Sequence, residues 1–377
     1  MSKTVFILGA GFSADAHIPV QEAILNELSI KLRKRNYFSY VKDFYERAYN
    51  ISPSELGKIP LEDAFTFIDR SILSAQEVSG FTMNEMFRIQ SSLKKLISIS
   101  LRDKLKDFVA NKSFEQTRKD YQTFFNILVN KRIIDDDDPF SIVTLNWDTI
   151  PEYFINQIRG KKKNGKVEID YTTYDYNFDS RTKREKKPSV LLKRLGYKNI
   201  KIEKLHGSIN WGFCSSCERL FVKKYDLKTP PIIYQNDSSK CRHCLDAKLK
   251  RLIVTPTFVK DLNNTHLKMI WHNALMDIQE SKRLVFIGYS FPLADFEFRY
   301  LLSKALACSK NKKRIKVLLH PSDKEIESES DERKKQYLYW KRNEVEERYK
   351  KYFSQYKLMI NYGSAKEFIT NESFLWD

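Results

Sequence analysis

Lys3-Thr-Val-Phe-Ile-Leu-Gly-Ala-Gly-Phe-Ser-Ala14 is the most informative segment for the fold class. Residues 3–8 are mostly apolar or β-branched and predict a short buried strand, which the Gly-Ala-Gly sequence ends sharply. The glycines fit the pattern G-x-G-x-x-G/A, in which the backbone can approach a pyrophosphate at the start of a helix. Pro19 then opens an amphipathic pattern that predicts a helix to about Arg33. We therefore expect a strand, a loop and a helix that bind a dinucleotide.

The residues beyond this loop do not fit a hydride-transfer enzyme. Such enzymes usually carry an acidic residue at the end of a second strand, about 20 residues after the glycines. Here that distance falls inside the predicted helix, near Glu27, and a helical pattern follows over residues 35–135. The loop is therefore expected to bind a dinucleotide for another chemistry.

Short apolar strands recur along the rest of the chain. Strands are expected over residues 140–148, 201–208, 252–255, 283–290, 314–320 and 358–361, with a helix over 267–278. Short apolar strands separated by helices are typical of a parallel sheet covered on both faces. The expected fold is therefore α/β, a doubly wound, Rossmann-like parallel sheet with a helical insertion and a small four-cysteine zinc module.

Composition narrows the class of protein. The chain has 377 residues, 42% of them hydrophobic and 13% aromatic, which excludes a disordered chain. Its length predicts two or more folded units. No run of about 18 apolar residues is present, and Val5–Leu8 is too short for a signal peptide. A soluble, cytoplasmic protein with no membrane partner is expected.

Positive charge is concentrated in one segment. The net charge is +18, and residues 159–204 contain fifteen Lys and Arg against six acidic residues. The segment is either a solvated loop or a surface for nucleic acid, nucleotide phosphates or an acidic protein. No helix-turn-helix, RNA-recognition or basic-zipper pattern accompanies it, so sequence-specific DNA binding is disfavoured.

The cysteines show metal-ligand spacing. Cys214 and Cys217 form one C-x2-C pair, and Cys241 and Cys244 form another after 23 intervening residues. Four thiolates bind Zn²⁺ tetrahedrally and leave no open position for water, so a structural zinc is expected. His243 is an alternative ligand. Cys308 is expected to be a core thiol in a helix.

Five short motifs together resemble the sirtuin family, in the family's chain order, and the resemblance spans residues 5 to about 323, close to 85% of the chain. They are the NAD-binding loop at residues 9–19 (G-A-G-x-S, then I-P), Thr144-Leu-Asn-Trp-Asp148 (T-Q-N-x-D), His206-Gly207, the two cysteine pairs, and Gly288-Tyr-Ser290 (G-T-S). The resemblance implies NAD as a substrate. It also implies two sets of site residues.

The first set would hold NAD. It consists of Gly9, Ala10, Gly11, Phe12, Ser13, Asp15, Gly288, Tyr289 and Ser290. The second set would be catalytic, with Asn146 holding the ribose hydroxyls or the attacking water, Asp148 orienting groups near the nicotinamide pocket, and His206 acting as general base. From the residues alone, Asn146 and Asp148 could instead cap a helix. His206-Gly207 could be an ordinary turn, and Gly288-Tyr-Ser290 could simply end a strand.

Two departures set the chain apart from sirtuin deacylases. After Pro19 the deacylases continue with Asp-Phe-Arg, whereas Val20-Gln-Glu22 follows here. Their peptide-binding strand reads V-x-F-G-E, but here Ile253-Val-Thr-Pro-Thr257 includes a proline that cannot donate to a β-ladder. The chain is most similar to bacterial sirtuin-like antiphage effectors, which implies NAD degradation, a homo-oligomer and a HerA-like ATPase or other defence partner.

Three functions therefore compete. The leading hypothesis is an NAD⁺ hydrolase that releases nicotinamide and ADP-ribose in antiphage defence. The others are a zinc-containing NAD-dependent lysine deacylase and a non-catalytic NAD or ADP-ribose scaffold in a nucleic-acid complex. The expected organisation is a Rossmann-like domain in three parts, a helical insertion and a zinc module. Their bounds are 1–34, 139–212 and 251–377 for the Rossmann-like parts, 35–138 for the insertion and 213–250 for the zinc module.

Overall fold

Parallel strands and covering helices form the frame of the molecule. The computed structural model describes residues 3–19, 24, 36–52, 54–135, 137–161, 167–177, 198–223, 240–241, 243–244, 247–258, 260–310 and 312–376. The strands in these ranges are β1 (Thr4–Leu8), β2 (Phe140–Thr144), β3 (Val167–Asp170), β4 (Asp175–Asn177), β5 (Lys198–Lys204), β6 (Gly207–Phe213), β7 (Leu220–Val222), β8 (Lys250–Ile253), β9 (Arg283–Ile287), β10 (Arg314–Leu319) and β11 (Lys357–Tyr362).

The helices flank these strands. They are α1 (Ala10–Ala14), α2 (Asn36–Tyr49), α3 (Leu61–Ser74), α4 (Met83–Ala110), α5 (Glu115–Ile134), α6 (Ile150–Lys161), α7 (Thr265–Glu280), α8 (Phe296–Ala307), α9 (Asp323–Glu327), α10 (Glu332–Tyr352), α11 (Ala365–Phe368) and α12 (Glu372–Trp376), with 3-10 turns at Leu56–Lys58 and Lys112–Phe114. Among these described helices, none combines the length and the apolar character that a membrane crossing requires.

Seven strands form one sheet in the order β11-β10-β9-β1-β2-β5-β3, and every pairing in it is parallel. All five residues of β1 and of β2 are buried, as strands covered on both faces require. The doubly wound parallel fold expected from the sequence is confirmed. The chain runs from β1 to β2 on one side and returns at β9 on the other, so the strand order reverses around β1, where open α/β sheets bind ligands.

Four of the described helices between β1 and β2, α2 to α5, match the helical pattern over residues 35–135. The longest, α4, begins with a capping box in which Thr82 and Glu85 satisfy each other's backbone amides. Helix α5 packs against the start of the chain, since Tyr121 and Phe124 contact the ring of Phe12 at centroid distances of 5.2 and 5.8 Å. The insertion therefore supports the loop that follows β1.

A second sheet of four strands, in the order β4-β7-β6-β8, carries the cysteine pairs. Strand β6 pairs antiparallel with both β7 and β8. Cys214 directly follows β6, and Cys217 precedes β7. The antiparallel strands thus bring the first cysteine pair to one end of this small sheet.

Several expectations about element bounds were wrong. The strands expected over 140–148 and 283–290 end earlier, at Thr144 and Ile287. Residues 201–208 do not form one strand, because the chain turns at Leu205-His206 and enters the second sheet, with Gly207 at a φ of +72°. The residues after β1 are not a plain loop, because α1 begins at Ala10 with Gly9 as its N-cap. The helix expected from Pro19 to about Arg33 falls almost wholly outside the described residues.

The described end of the basic segment is interior. Over 198–204 the three lysines bind buried or half-buried acceptors, with Lys201 Nζ 2.5 Å from Asp138 Oδ2 and Lys204 Nζ 3.2 Å from Glu152 Oε1. Both expected alternatives, a solvated loop and a docking surface, are wrong for this part because β5 lies inside the sheet. Residues 162–166 and 178–197 lie outside the described part of the chain.

Backbone contact between two loops fixes the centre of the sheet edge. The Gly11 amide donates to the Gly288 carbonyl at 2.8 Å, and the Gly9 amide donates to the Ile287 carbonyl at 3.0 Å. Gly288 has a φ of +64°, and a Cβ there would lie 2.0 Å from the Phe12 nitrogen. The glycines therefore allow the loops after β1 and β9 to touch.

Replacing Gly288 with alanine should strongly destabilise the protein, because a side chain there meets backbone and also strains a left-handed residue. We expect a loss of about 3 kcal/mol or more in the free energy of unfolding, measured by urea titration. Gly80→Ala is the matched control, since Gly80 has a φ of +71° but a Cβ there meets only the Arg47 side chain. Its cost should be about 1 kcal/mol, from the strain alone. Equal losses in the two variants would contradict the proposed packing.

Candidate active site

The carboxyl ends of β1, β2 and β9 lie side by side. Leu8 aligns with Thr144 of β2 and with Ile287 of β9. The residues that follow these strands therefore meet at one edge of the sheet, at the position where its strand order reverses. This is where the sequence places most of its candidate site residues.

A chain of hydrogen bonds links two of these loops. Asn146 Nδ2 donates to the Gly9 carbonyl at 2.8 Å and to Ser13 Oγ at 3.2 Å. Ser13 Oγ donates in turn to Asp148 Oδ2 at 2.8 Å. Ser13 and Asp148 are buried, whereas Asn146 is half-buried. The side-chain amide of Asn146 and the carboxylate of Asp148 are thus held in fixed positions beside the loop after β1.

Asp148 also serves the start of α6. Its Oδ1 accepts from the Ile150 amide at 3.0 Å, which is a helix-capping contact. Helix capping was one of the two roles that the sequence left open for Asp148, and the structure shows this contact. Its role near a nicotinamide pocket stays a prediction. Each carboxylate oxygen has its own partner, so the orientation of the Asp148 side chain is fixed.

An open pocket adjoins this network, with about 410 Å³ of empty space. The residues that line it are Ala10, Ser13, Ile18, Pro19, Ile24, Leu101, Leu145, Asn146, Trp147 and Asp148. The sequence nominated Ala10, Ser13, Asn146 and Asp148. It missed Leu101, which reaches the pocket from α4 of the insertion and whose only signal was apolar helix spacing.

His206 occupies the turn between β5 and β6 and is 6% exposed. Its ring hydrogen-bonds to the Leu145 backbone, and Leu145 lines the pocket. Its Nε2 is buried and has no hydrogen-bond partner among the described residues. Burial lowers the pKa of His206 below its ordinary value. The imidazole is therefore neutral at pH 7, the form that can accept a proton.

A buried ion pair fixes the loop after β2. The side chains of Lys204 and Glu152 are 0% and 2% exposed, and Lys204 Nζ also donates to the Asp148 carbonyl at 2.5 Å. Burial raises the pKa of the Glu152 carboxyl, and the Lys204 ammonium opposes that rise. Nothing in the sequence indicated this pair beyond the general positive charge of residues 159–204.

Other predicted binding residues have structural contacts. The Phe12 ring is fully buried against α5, and Asp15 Oδ2 accepts from the Lys366 amide at 3.0 Å. Tyr289 is buried, and its hydroxyl donates to Asp295 Oδ2 at 3.1 Å. Ser290 is exposed, and its carbonyl accepts from Arg348 at 3.3 Å. The structure thus groups Ala10, Ser13, Asn146 and Asp148 at the pocket, and their contact with NAD stays a prediction.

A model of the SIR2-like domain matches residues 141–347, which is more than half of the chain. The chain belongs to the SIR2-like family. Membership indicates an enzyme that uses NAD. No match was found among curated proteins.

Solved Sir2 structures are similar to this SIR2-like chain at low identity. A Sir2 complex with the inhibitor EX-527, 2'-O-acetyl-ADP-ribose and a deacetylated p53 peptide is 12% identical, over 97% of this chain and 90% of that one, with a TM-score of 0.36. A mutant Sir2 homologue with ADP-ribose is 12% identical over 92% of both chains, with a TM-score of 0.38. Sir2Tm with a propionylated peptide is 13% identical over 85% of this chain and 82% of that one, with a TM-score of 0.32. The family assignment rests on the domain match.

The SIR2-like chain also has a candidate zinc centre. The sulfur atoms of Cys214, Cys217, Cys241 and Cys244 all lie within 4.8 Å of one another. Cys217 Sγ and Cys241 Sγ are 3.7 Å apart, close to the edge of about 3.8 Å that Zn–S bonds of about 2.3 Å give a tetrahedron. The four thiols therefore fit Zn²⁺, which would tie the two cysteine pairs together. His243 is not part of this group of described residues.

Cys308 was expected to be a core thiol, and this was wrong. It is exposed, because α8 ends at Ala307 and Cys308 caps the helix at the surface. This position makes Cys308 a useful reference for the clustered cysteines.

Purified protein should contain about one zinc per chain, because the four clustered thiols match the ligand set of a tetrahedral zinc site. Cys217→Ser should lose the metal and lower the unfolding temperature by about 5 °C or more, because the two cysteine pairs are no longer joined. Elemental analysis and thermal unfolding give the two readouts. Cys308→Ser is the control and should keep both zinc and stability. A Cys217→Ser protein with full zinc content would rule out the four-cysteine centre.

Proposed function

We propose that this SIR2-like protein is an NAD⁺ hydrolase that releases nicotinamide and ADP-ribose. The observation that carries the proposal is the hydrogen-bonded chain from Asn146 through Ser13 to Asp148, beside a pocket at the reversal of strand order. His206, neutral and buried, lies against the Leu145 backbone at the same site. Together these groups supply an amide and a carboxylate that line the pocket, and a base beside Leu145 of the pocket wall.

The reaction requires such groups. Breaking the bond to nicotinamide builds positive charge at the ribose, as in the oxocarbenium-like transition state of glycoside hydrolysis. The Asp148 carboxylate would stabilise that charge, and Asn146 would hold the ribose hydroxyls or the attacking water. His206 would take the proton from the attacking oxygen at a ring nitrogen. The loop of residues 9–13 would receive the phosphates.

Contacts of the helical insertion favour hydrolysis over deacylation. A peptide that binds by strand addition needs free backbone amides on the receiving segment. In the segment after β8, the Val254 amide donates to the His206 carbonyl at 2.9 Å and the Phe258 amide donates to Thr66 Oγ1 at 3.0 Å. Pro256 has no amide hydrogen. Helix α3 of the insertion thus occupies a place where an acyl-lysine peptide would otherwise pair.

A second contact anchors α3 to the same segment. Thr255 Oγ1 donates to Asp69 Oδ2 at 2.8 Å, and Gln90 Nε2 donates to Asp69 Oδ1 at 2.6 Å. Burial raises the pKa of the Asp69 carboxyl. The Asp69 carboxylate thereby joins α3, α4 and the segment after β8 at one buried position. This arrangement favours permanent coverage of the segment by α3.

The proposal extends to a biological role, on the strength of the sirtuin-like motifs. NAD depletion in the cytoplasm would serve bacterial antiphage defence, with the enzyme inactive until a signal arrives. Control would come from homo-oligomerisation and from a HerA-like ATPase or another defence partner. Nucleic-acid contact, if it contributes, would involve the basic residues before β5 rather than the interior lysines of β5.

The first test follows NAD cleavage by chromatography, with protein alone and with DNA or a candidate ATPase. Wild type should release nicotinamide and ADP-ribose. Asn146→Ala and His206→Ala should each lower the rate by about 100-fold or more, because each removes a group that orients or accepts a proton. His272→Ala is the matched control, since His272 is exposed on α7, and it should keep full activity.

Other outcomes would select the competing functions. Nicotinamide release that depends on an added acyl-lysine peptide would identify a deacylase instead. Salt-sensitive DNA binding without NAD cleavage under any condition would favour the non-catalytic scaffold. Equal cleavage by wild type and His206→Ala would remove His206 from the mechanism.

A further inference from the structure

Two charged side chains, Lys260 and Asp295, lie beside His206 on the segments after β8 and β9. Asp295 Oδ1 is 3.8 Å from His206 Nε2 and 3.1 Å from Lys260 Nζ. The Lys260 side chain is 1% exposed, and the Asp295 side chain is 14% exposed. None of the sirtuin-like motifs includes Asp295 or Lys260. A histidine that is expected to accept a proton thus faces a carboxylate that is shared with a buried lysine.

The carboxylate of Asp295 is held from two sides. Tyr289 Oη donates to Oδ2 at 3.1 Å, while Lys260 binds Oδ1. Burial raises the pKa of the Tyr289 hydroxyl well above its usual range, so it remains a neutral donor. Lys260 Nζ also binds the Ala294 carbonyl at 2.5 Å and Glu297 Oε2 at 3.3 Å. These contacts fix where the carboxylate stands relative to the imidazole.

The free nitrogen of His206 faces this carboxylate. The ring hydrogen-bonds to the Leu145 backbone, and Nε2 has no hydrogen-bond partner among the described residues. At 3.8 Å the gap to Asp295 is too long for a hydrogen bond but short enough for strong attraction once the ring is charged. The Asp295 carboxylate stabilises a neutral His206 ring only slightly, whereas it stabilises the charged imidazolium strongly.

We propose that Asp295 is a positioning residue for His206, stabilising the imidazolium that forms when Nε2 takes up a proton, and that Lys260 limits this effect by sharing the same carboxylate. The catalytic consequence rests on the proposed NAD hydrolysis. There the proton leaves the attacking water as the water oxygen bonds to the ribose carbon. The proton then bonds to His206 Nε2, and Asp295 takes up none. The leaving nicotinamide carries away the electron pair of the broken bond.

The charges around His206 act with opposite signs. Burial lowers its pKa most, Asp295 and Glu297 raise it, and Lys260 lowers it. Asp295 and Glu297 come from the start of α8, and Lys260 comes from the segment between β8 and α7. Removing Asp295 and removing Lys260 should therefore move the proton affinity of the same ring in opposite directions, which a general loss of packing would not do.

The direct test is an NMR titration of the His206 ring in the full chain, with ¹³C-labelled histidine and assignment by His206→Ala. Asp295→Asn keeps the shape and should lower the midpoint by about 1 pH unit, because an opposite charge within about 4 Å has gone. Lys260→Met should raise the midpoint. Asp323→Asn, which removes a carboxylate paired with Arg342, is the matched control and should leave it unchanged.

Kinetics test the catalytic consequence. The acid limb of kcat/KM for NAD cleavage should shift to lower pH in Asp295→Asn, because a base acts only when unprotonated and its pKa has fallen. On the pH-independent plateau, kcat of Asp295→Asn should drop about tenfold with little change in KM. A tenfold loss is what a base weaker by one pKa unit would cause. In Lys260→Met the acid limb should move to higher pH. If Lys260→Met does not fold, Lys260→Gln replaces it.

The outcomes separate this inference from the proposed function. Unchanged His206 midpoints in both folded variants, or shifts of the same sign, would overturn it. Opposite midpoint shifts in a protein that cleaves no NAD would refute the hydrolase and retain the coupling of Asp295 and Lys260 to His206. Opposite shifts together with matching movements of the acid limb would support both.

Discussion

The amide of Gly11 donates to the carbonyl of Gly288, and the rest of the site depends on this contact. It joins the loops after β1 and β9, while Asn146 joins the loop after β2 to the same point through the Gly9 carbonyl. Three loops from distant parts of the chain thus share one backbone junction. Such close approach is possible only where side chains are missing, which gives the glycines a structural purpose in addition to any contact with phosphate.

Buried charge is the second organising feature, and beside the candidate site it occurs in two ion pairs. Lys204 with Glu152 fixes the loop after β2, and Lys260 with Asp295 stands beside His206. Taking a charge out of water costs several kcal/mol, so each buried ion needs its partner in place. The two ion pairs therefore contribute more to the fixed geometry of the site than to the stability of the fold. Loss of one partner would disturb the loop that the pair holds in place.

The sequence predicts what is local and misses what depends on distant partners. The strand at residues 4–8, the helical block and the cysteine spacing were predictable because propensity and spacing are properties of neighbouring residues. The turn at Leu205-His206 was not, since only the second sheet explains why the chain leaves the first one there. Nor could the sequence pair Asp69 with Thr255 or Asp295 with His206. The same limit applies to Lys201 and Lys204, whose charge suggested a surface and whose partners place them inside.

The insertion also determines the order in which the chain can assemble. Strand β1 pairs with β2 and β9, yet 131 residues separate the end of β1 from the start of β2. At a synthesis rate of roughly 5–20 residues per second, β1 would leave the ribosome about 7 to 26 s before β2. Local helices form far faster than such distant pairings. Phe6 of β1 contacts Phe124 of α5 at a centroid distance of 6.0 Å. The newly formed helices can therefore cover this apolar strand until β2 and β9 have been synthesised. The insertion would then act during synthesis as an internal chaperone for the strand that leads into the candidate site.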